Sequence, residues 1–395
     1  MFAGLPTPPL DPIVGLAKLF ESDPADAKID LGIGVYKNER GEIPILRSVK
    51  QAESWLVANQ RSKSYLSSIG NPEFNRLIGE LLLEAHSDVL RRSQTIQTPG
   101  GTGALRVAAD LLHKLRPHMR VFIPSPTWAN HHGLFAAAGH EVVPYPYYDA
   151  ARGELKFDAM LAALAAMKAD DVLLLHGCCH NPTGADLDTT QWQAISELLA
   201  RTGAVPLIDL AYQGFAVGLR EDSAPLGLLA SRLPELLVAS SYSKNFALYR
   251  DRVGALTLIA PRDADAVAAR AHAQTVARTN YSMPPDHGAA IVACILSSEL
   301  LRSEWEEELR GMRERIKSMR THLVARLEAH SERDFGFLAH QNGMFALLGL
   351  SAQAVETLRT RHHVYVTSSG RINVAGLTLD TVGRVADAIA AVHDG

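Results

Sequence analysis

Residues 95–123 read TIQTPGGTGALRVAADLLHKLRPHMRVFI, and this stretch decides the fold. Thr95–Thr98 is a short β-rich run. Gly100, Gly101 and Gly103 break it, and Leu105, Ala108, Leu111, Leu112 and Leu115 then recur at helical spacing. A second apolar run, Val121–Ile123, follows. The alternation continues outward, because Val172–Leu175, Val205–Ile208, Leu237–Ala239 and Leu256–Ile259 are further continuous apolar runs separated by helical patterns. Continuous apolar strands belong to a mostly parallel sheet covered on both faces, so the expected class is α/β. Ligands of such sheets bind at the carboxyl ends of the strands. The polar residues just after each run are therefore where chemistry is to be sought.

The chain of 395 residues is long enough for roughly two to three domains. Its 39 Lys+Arg against 43 Asp+Glu give a net charge of -4, which offers no global electrostatic case for nucleic acid or an anionic membrane. A hydrophobic content of 47% is too high for a disordered chain. Three cysteines cannot form a disulfide framework, and a reducing, cytoplasmic setting is expected. The N-terminus carries Pro6, Pro8, Pro9 and Pro12 and no basic region before its apolar residues, unlike a signal peptide. No apolar run reaches the ~18 residues a membrane span needs.

Residues 302–330 form a different pattern. Trp305, Leu309, Met312, Ile316, Met319 and Leu323 make an apolar stripe, which predicts a long amphipathic helix joining the sheet to a C-terminal unit. Residues 364–376, VYVTSSGRINVAG, read as short strands around a turn, so the C-terminal third is expected to be a smaller α+β domain.

Four segments carry candidate chemistry. Lys244, in Ser240-Ser241-Tyr242-Ser243-Lys244-Asn245, follows an apolar strand, as suits an amine whose pKa is lowered by desolvation. Asp209 lies inside an apolar run, where a bare carboxylate is costly and must meet a cation or donors. Pyridoxal phosphate needs such a set: a lysine for its aldehyde, a carboxylate for its ring nitrogen, and an anion site. Gly101-Thr102-Gly103, between a strand and a helix, offers free backbone N–H groups to an anion, and Arg252 offers a bidentate clamp. Each has a plainer reading: a surface lysine, a capping aspartate, an ordinary glycine turn, a solvated arginine. His176-Gly177-Cys178-Cys179-His180 invites a metal reading, but zinc sites separate paired cysteines by two to four residues, so no metal is expected. Asn181, in the Asn-Pro-Thr-Gly turn that follows, is placed to meet a ring hydroxyl.

Taken together, these segments resemble the class I pyridoxal-phosphate-dependent aminotransferases, in their aspartate and aromatic amino-acid branch. The resemblance runs from Asp11-Pro12-Ile13 and Leu31-Gly32-Ile33-Gly34-Val35-Tyr36 to Ser369-Gly370-Arg371-Ile372-Asn373-Val374-Ala375-Gly376. Between them stand GGTGA, PTW, HNPTG, DLAYQGF, SYSKNF, RVGA and NYSMPP, in that order. The resemblance implies the aspartate aminotransferase-like fold (fold type I), with a mostly parallel seven-stranded sheet. It implies an N-terminal arm over 1–11, a large cofactor domain over 44–311, and a small α+β domain combining 12–43 with 312–395. It also implies roles. Lys244 holds the cofactor and moves the proton, Asp209 meets the ring nitrogen, and Asn181 and Tyr212 meet the ring oxygen. Trp128 lies against the ring and His131 supports Asp209. Gly101, Thr102, Ser241, Ser243 and Arg252 bind the phosphate, joined by Tyr65 from the other subunit of a homodimer. Arg371 clamps the substrate α-carboxylate, Arg278 of the other subunit meets a side-chain carboxylate, and Gly34 contributes backbone.

The expected activity is transfer of the amino group of aromatic and dicarboxylic L-amino acids to 2-oxoglutarate by a ping-pong cycle. Arg278, Lys37, Val35 and Thr102 fit an aspartate-preferring pattern, whereas Ile43, Ser64 and Met283 depart from it, and Ile43 is what aromatic-preferring members tend to carry. The alternatives are a strictly aspartate-preferring enzyme, a pyridoxal-dependent β-lyase and a non-catalytic pyridoxal-binding regulator. No appended basic segment supports the last.

Overall fold

The computed structural model describes residues 2, 4–6, 12–83 and 86–393. Most of the N-terminal arm expected over 1–11 thus lies outside the described residues. Seven strands form the central sheet: β1 (Ser93–Pro99), β2 (Arg120–Ser125), β3 (Glu141–Pro146), β4 (Val172–His176), β5 (Val205–Leu210), β6 (Leu236–Ser241) and β7 (Val253–Ile259). Their order is β1-β7-β6-β5-β4-β2-β3. Every neighbouring pair from β6 to β3 is parallel, and only β7 runs against its two neighbours. The amino end of β7 therefore lies at the same edge as the carboxyl ends of the other six.

Both faces are covered, which is why the strands read as unbroken apolar runs. Helix α1 (Gly100–Leu115) and helix α2 (Asp263–Tyr281) bury Leu105, Ala108, Leu111, Ala273 and Ala277 on one face. Helices Pro72–Leu83, Thr189–Thr202 and Asp286–Ser297 cover the other.

Helix α3 (Glu299–His330) is the long amphipathic helix expected from the 302–330 stripe, and all six stripe residues are buried. Its N-terminus is capped by Ser298, whose hydroxyl accepts from the Leu301 N–H. Its buried side grips three separate segments. Trp305 donates its indole N–H to the Asn245 carbonyl at 2.8 Å and stacks on Phe246 with ring centroids 4.2 Å apart. Arg313 donates to the Gly214 carbonyl at 2.8 Å. Arg320, almost wholly buried, donates to the carbonyls of Leu338, Asn342, Gly343 and Phe345.

The 364–376 segment contains two short strands on either side of its turn, but they do not pair with each other. Val364–Tyr365 runs parallel to Ile29–Asp30, and Arg371–Asn373 runs antiparallel to Phe345–Leu347. This brings residues 29–36 and 343–347 beside Arg371. Among the described residues, no helix is long and apolar enough to cross a membrane.

Candidate active site

A cavity of about 210 Å³ opens at the sheet edge where the six carboxyl ends and the start of β7 meet. Each element delivers its own side chains. The end of β1 leads into Gly101 and Thr102 in the first turn of α1, where backbone N–H groups have no intrahelical partner. Beyond β2 lie Trp128 and His131, and beyond β4 lies Asn181. Strand β5 carries Asp209 with Tyr212 just past its end, and β6 is followed by Ser243 and Lys244. Arg252 precedes β7. The crowding at this corner requires glycine. A Cβ on Gly100, which has φ +72, would lie 2.4 Å from the Arg252 guanidinium, and one on Gly254 would lie 2.3 Å from the Gly100 backbone.

The cavity is electrostatically divided. At one end Arg252 donates to Ser243 Oγ at 3.3 Å, and Ser243 and Ser241 hydroxyls lie 3.2 Å apart beside the N-terminus of α1. Guanidinium, hydroxyls, free N–H groups and the helix dipole all favour an anion there. Asp209 lines the same cavity as its only carboxylate among the described residues. Burial alone would push its carboxyl up. The hydrogen bond from His131, with the nearby Lys244 cation adding to it, outweighs this and holds it below the usual carboxylate range.

Behind Asp209 runs a chain of hydrogen bonds that one set of neutral tautomers satisfies. The Asn181 N–H donates to His176 Nδ1 at 3.4 Å, leaving His176 Nε2 to donate to Thr127 Oγ1 at 3.2 Å. Thr127 then donates to His131 Nδ1 at 2.8 Å, and His131 Nε2 donates to Asp209 Oδ2 at 3.1 Å. Burial lowers the His176 pKa to about 3, consistent with its neutral place in the chain. His131, His176 and Asp209 also bring three possible metal ligands within 4.8 Å of one another. Their facing atoms are already committed to this chain.

Lys244 is buried, and its Nζ lies 5.0 Å from the centroid of the Tyr212 ring. Desolvation lowers its pKa to about 8 against the opposing pull of Asp209, with Arg252 and Arg371 adding to the lowering. Burial raises the Tyr212 hydroxyl well above its ordinary value, so it remains a hydrogen-bond donor. Arg371 is only 6% exposed. It donates to Asn181 Oδ1 at 3.2 Å and to the Gly32 carbonyl at 2.6 Å, and its guanidinium lies 4.1 Å from the Phe345 ring centroid. Its Nε has no partner and no carboxylate pairs with it among the described residues, which leaves a buried cation available to an anion. The Arg371 contact also orients the Asn181 amide, leaving Nδ2 free for the cavity.

The profile of the family "Aminotransferase class I and II" matches residues 26–389. The chain belongs to this family. Similar curated aminotransferases include "Aspartate aminotransferase" of Salmonella typhi, 51% identical over 99% of this chain and all of that protein. "Aromatic-amino-acid aminotransferase" of Pseudomonas aeruginosa is 48% identical over 99% and 98% of the two chains. Among solved structures, the aromatic-amino-acid aminotransferase of Burkholderia pseudomallei, covalently bound to pyridoxal phosphate, superposes with a TM-score of 0.97 at 44% identity over 99% of each chain. The aminotransferase adopts the aspartate aminotransferase-like fold of these relatives.

The structure gathers Gly34, Gly101, Thr102, Trp128, Asn181, Asp209, Tyr212, Ser241, Ser243, Lys244 and Arg252 around one cavity, with His131 behind it and Arg371 beside Asn181. Two expected residues are not brought there by a single chain. Tyr65 is 91% exposed, and Arg278 is exposed with its guanidinium on Ser282 Oγ at 2.6 Å. Ile43, Ser64 and Met283 do not line the cavity either. Four lining residues had no site role in the sequence reading: the apolar Leu105 and Ala211, and the polar His176 and Tyr249. His176 was visible as the polar end of an apolar strand. Tyr249, whose hydroxyl accepts from the Tyr36 N–H at 2.9 Å, had only its nearness to Arg252 as a signal.

Proposed function

We propose that this aminotransferase holds pyridoxal phosphate on Lys244 and moves the amino group of aromatic and dicarboxylic L-amino acids to 2-oxoglutarate by a ping-pong cycle. The observation that carries the reading is one cavity lined by a buried amine, a lone carboxylate and an anion cradle. These match the aldehyde, the ring nitrogen and the phosphate of that cofactor. The cofactor-bound relative supports it. When bound, pyridoxal phosphate supplies an aldehyde for amines and a ring that takes up electron density from the substrate α-carbon.

The residues then divide the work. Lys244 Nζ, with its pKa lowered to about 8, is neutral often enough near neutral pH that it would hold the cofactor through its aldehyde and, when free, would take the proton from the substrate α-carbon. Asp209, held ionised, keeps the ring nitrogen protonated, and His131 fixes its direction. Asn181 Nδ2 and the Tyr212 hydroxyl donate to the ring oxygen. Trp128 covers the ring. Gly101, Thr102, Ser241, Ser243 and Arg252 hold the phosphate. Arg371 takes the substrate α-carboxylate, and Gly34 brings backbone close, where a Cβ would lie 2.7 Å from the Phe345 ring.

Tyr65 and Arg278 act in the partner's site of a homodimer. Their exposure in one chain supports this, as does the company of exposed Ile43, Ile45, Trp55 and Val57. We place the enzyme in the cytoplasm, and divide it into an arm (1–11), a large domain (44–311) and a small domain (12–43 with 312–395).

A panel of amino donors, coupled to 2-oxoglutarate with purified protein, tests the reading. Turnover of tyrosine, phenylalanine and aspartate is expected. Turnover of aspartate alone selects the strictly aspartate-preferring enzyme, for which Lys37 and Arg278 speak. Pyruvate from cysteine conjugates without an oxo-acid acceptor selects β-elimination. Failure of glutamate to bleach the bound cofactor's visible band would exclude amino transfer.

A further inference from the structure

Asp186 lies in no lining of the cavity, yet it grips the turn that carries Asn181. Its Oδ2 accepts from the Cys179 N–H and its Oδ1 from the His180 N–H, both at 2.9 Å. These are the two peptide groups immediately before Asn181. Asn342 Nδ2 donates to the same carboxylate at 3.2 Å. No Lys, Arg or His forms an ion pair with Asp186 among the described residues; its hydrogen bonds come from N–H groups, and the buried Arg320 guanidinium adds only a longer-range attraction.

The turn does not need this charge in order to close. The Gly184 N–H already donates to the His180 carbonyl at 2.7 Å. What the carboxylate adds is orientation. Cys179 is held at φ 51, a left-handed conformation that a non-glycine residue keeps only where its surroundings impose it. A bidentate anion on two successive N–H groups imposes it, through hydrogen bonds stronger than neutral ones. The next residue, Asn181, accepts from Arg371 at 3.2 Å. On the other side, Asn342 ties the carboxylate to the segment whose Phe345 ring lies under the Arg371 guanidinium, and the Asn342 N–H donates to the Gly184 carbonyl at 2.7 Å.

We infer that Asp186 is a positioning residue that sets Asn181, and through it Arg371, for the cofactor's ring oxygen and the substrate carboxylate. The inference rests on the roles proposed above for those two residues.

The test uses purified holoenzyme and two readouts: steady-state kinetics, and the pH midpoint of the cofactor's visible absorption. Asp186→Asn keeps the shape but replaces one acceptor with a donor. It should raise the KM for the amino donor more than it lowers kcat, with kcat/KM falling about 10- to 100-fold, as for a small misplacement of binding groups. The midpoint should rise by about one unit, because a donor to the anionic ring oxygen is misplaced. In an Asn181→Ala background, Asp186→Asn should no longer move the midpoint. Asn342→Ala, which leaves both backbone bonds intact, should keep the wild-type midpoint.

Lower thermal stability with unchanged KM and midpoint would make Asp186 merely structural and overturn the inference. So would a full shift persisting in the Asn181→Ala background, or an equal shift in Asn342→Ala. Should Asp186→Asn not fold, Asp186→Glu moves the carboxylate by one methylene and is read on the same two scales, with the same shifts expected and an unchanged midpoint and KM counting against. Wild-type protein without a titrating band or amino transfer would instead overturn the functional reading itself.

Discussion

The sheet edge and the short ladders beside Arg371 are built in opposite ways. At the edge, six strands end and β7 begins, each five to seven residues long, so the register of a packed core sets Asp209, Lys244 and Arg252. Around Arg371, two pairs of strands only two or three residues long hold the chain, helped by side chains such as Asn373, which donates to the Ile33 and Val35 carbonyls. Both regions are buried, the first through the register of longer strands and the second through short strands whose Phe345, Ala346, Leu347, Val364 and Ile372 also belong to the core. The contrast teaches where each task belongs: the groups that fit the cofactor line the sheet edge, whereas the Arg371 clamp for the α-carboxylate that every amino acid shares sits on the short ladders.

Substitutions should separate the sheet edge, which serves every donor, from the groups that select a substrate side chain. The largest effect is expected for Lys244→Ala, which should keep cofactor affinity through the phosphate cradle and Asp209 but lose at least about a thousandfold in turnover for every donor. Stopped-flow assays with aspartate and with tyrosine check this. Retention of more than about a thousandth of the rate would remove Lys244 from its role. Asp209→Ala should slow both donors alike, by about 10²–10³-fold, since it withdraws a preorganised charge from a desolvated site. A loss confined to one donor class would blur that division.

Arg278→Leu should do the reverse. Aspartate and glutamate should lose at least about 30-fold in kcat/KM, as when one member of a buried charge pair is truncated. Tyrosine and phenylalanine should change little. The comparison needs single-turnover measurement of the first half-reaction, because the full cycle still consumes dicarboxylic 2-oxoglutarate. Equal losses for aspartate and phenylalanine would show Arg278 to be structural.

The smallest effect concerns pH. With the Lys244 pKa lowered to about 8, the protonated amine predominates below that value and cannot attack an aldehyde. Cofactor capture by the stripped protein should rise roughly tenfold from pH 7 to pH 9 and level off. A rate that climbs steeply beyond pH 9 would mean that the amine is not desolvated.

The same contrast governs what the sequence made legible. Five of the seven strands were readable because burial on both faces demands unbroken apolar runs, and β1 from its β-rich residues, whereas β3, an edge strand with Glu141 and Pro144 exposed, was not; Asp209 and Lys244 stood out because a charge inside or just beyond such a run needs a reason. The tie between His176 and Asp209 was not readable. It passes through Thr127 and His131, and no local pattern records which nitrogen faces which oxygen. The partners of Val364–Tyr365 and Arg371–Asn373 were equally hidden, since two or three residues carry no periodicity and their partners are remote in the chain. Asp186 carried no signal in the sequence, because its meaning lies in two backbone N–H groups rather than in a side-chain motif.

Helix α3 gives the molecule a mechanical property. Its 32 residues span about 48 Å, and Trp305 and Arg320 sit roughly 22 Å apart along the axis. Toward one end it is clamped by a stacked, fully buried indole behind the lysine turn, and toward the other Arg320 donates to the Phe345 carbonyl, holding the segment whose ring lies beneath Arg371. A stiff rod pivoting at Trp305 moves its Arg320 end by roughly 0.4 Å per degree of tilt, given that separation. Any tilt of the rod about Trp305 would therefore be felt more strongly at the segment beneath the carboxylate clamp than around the amine.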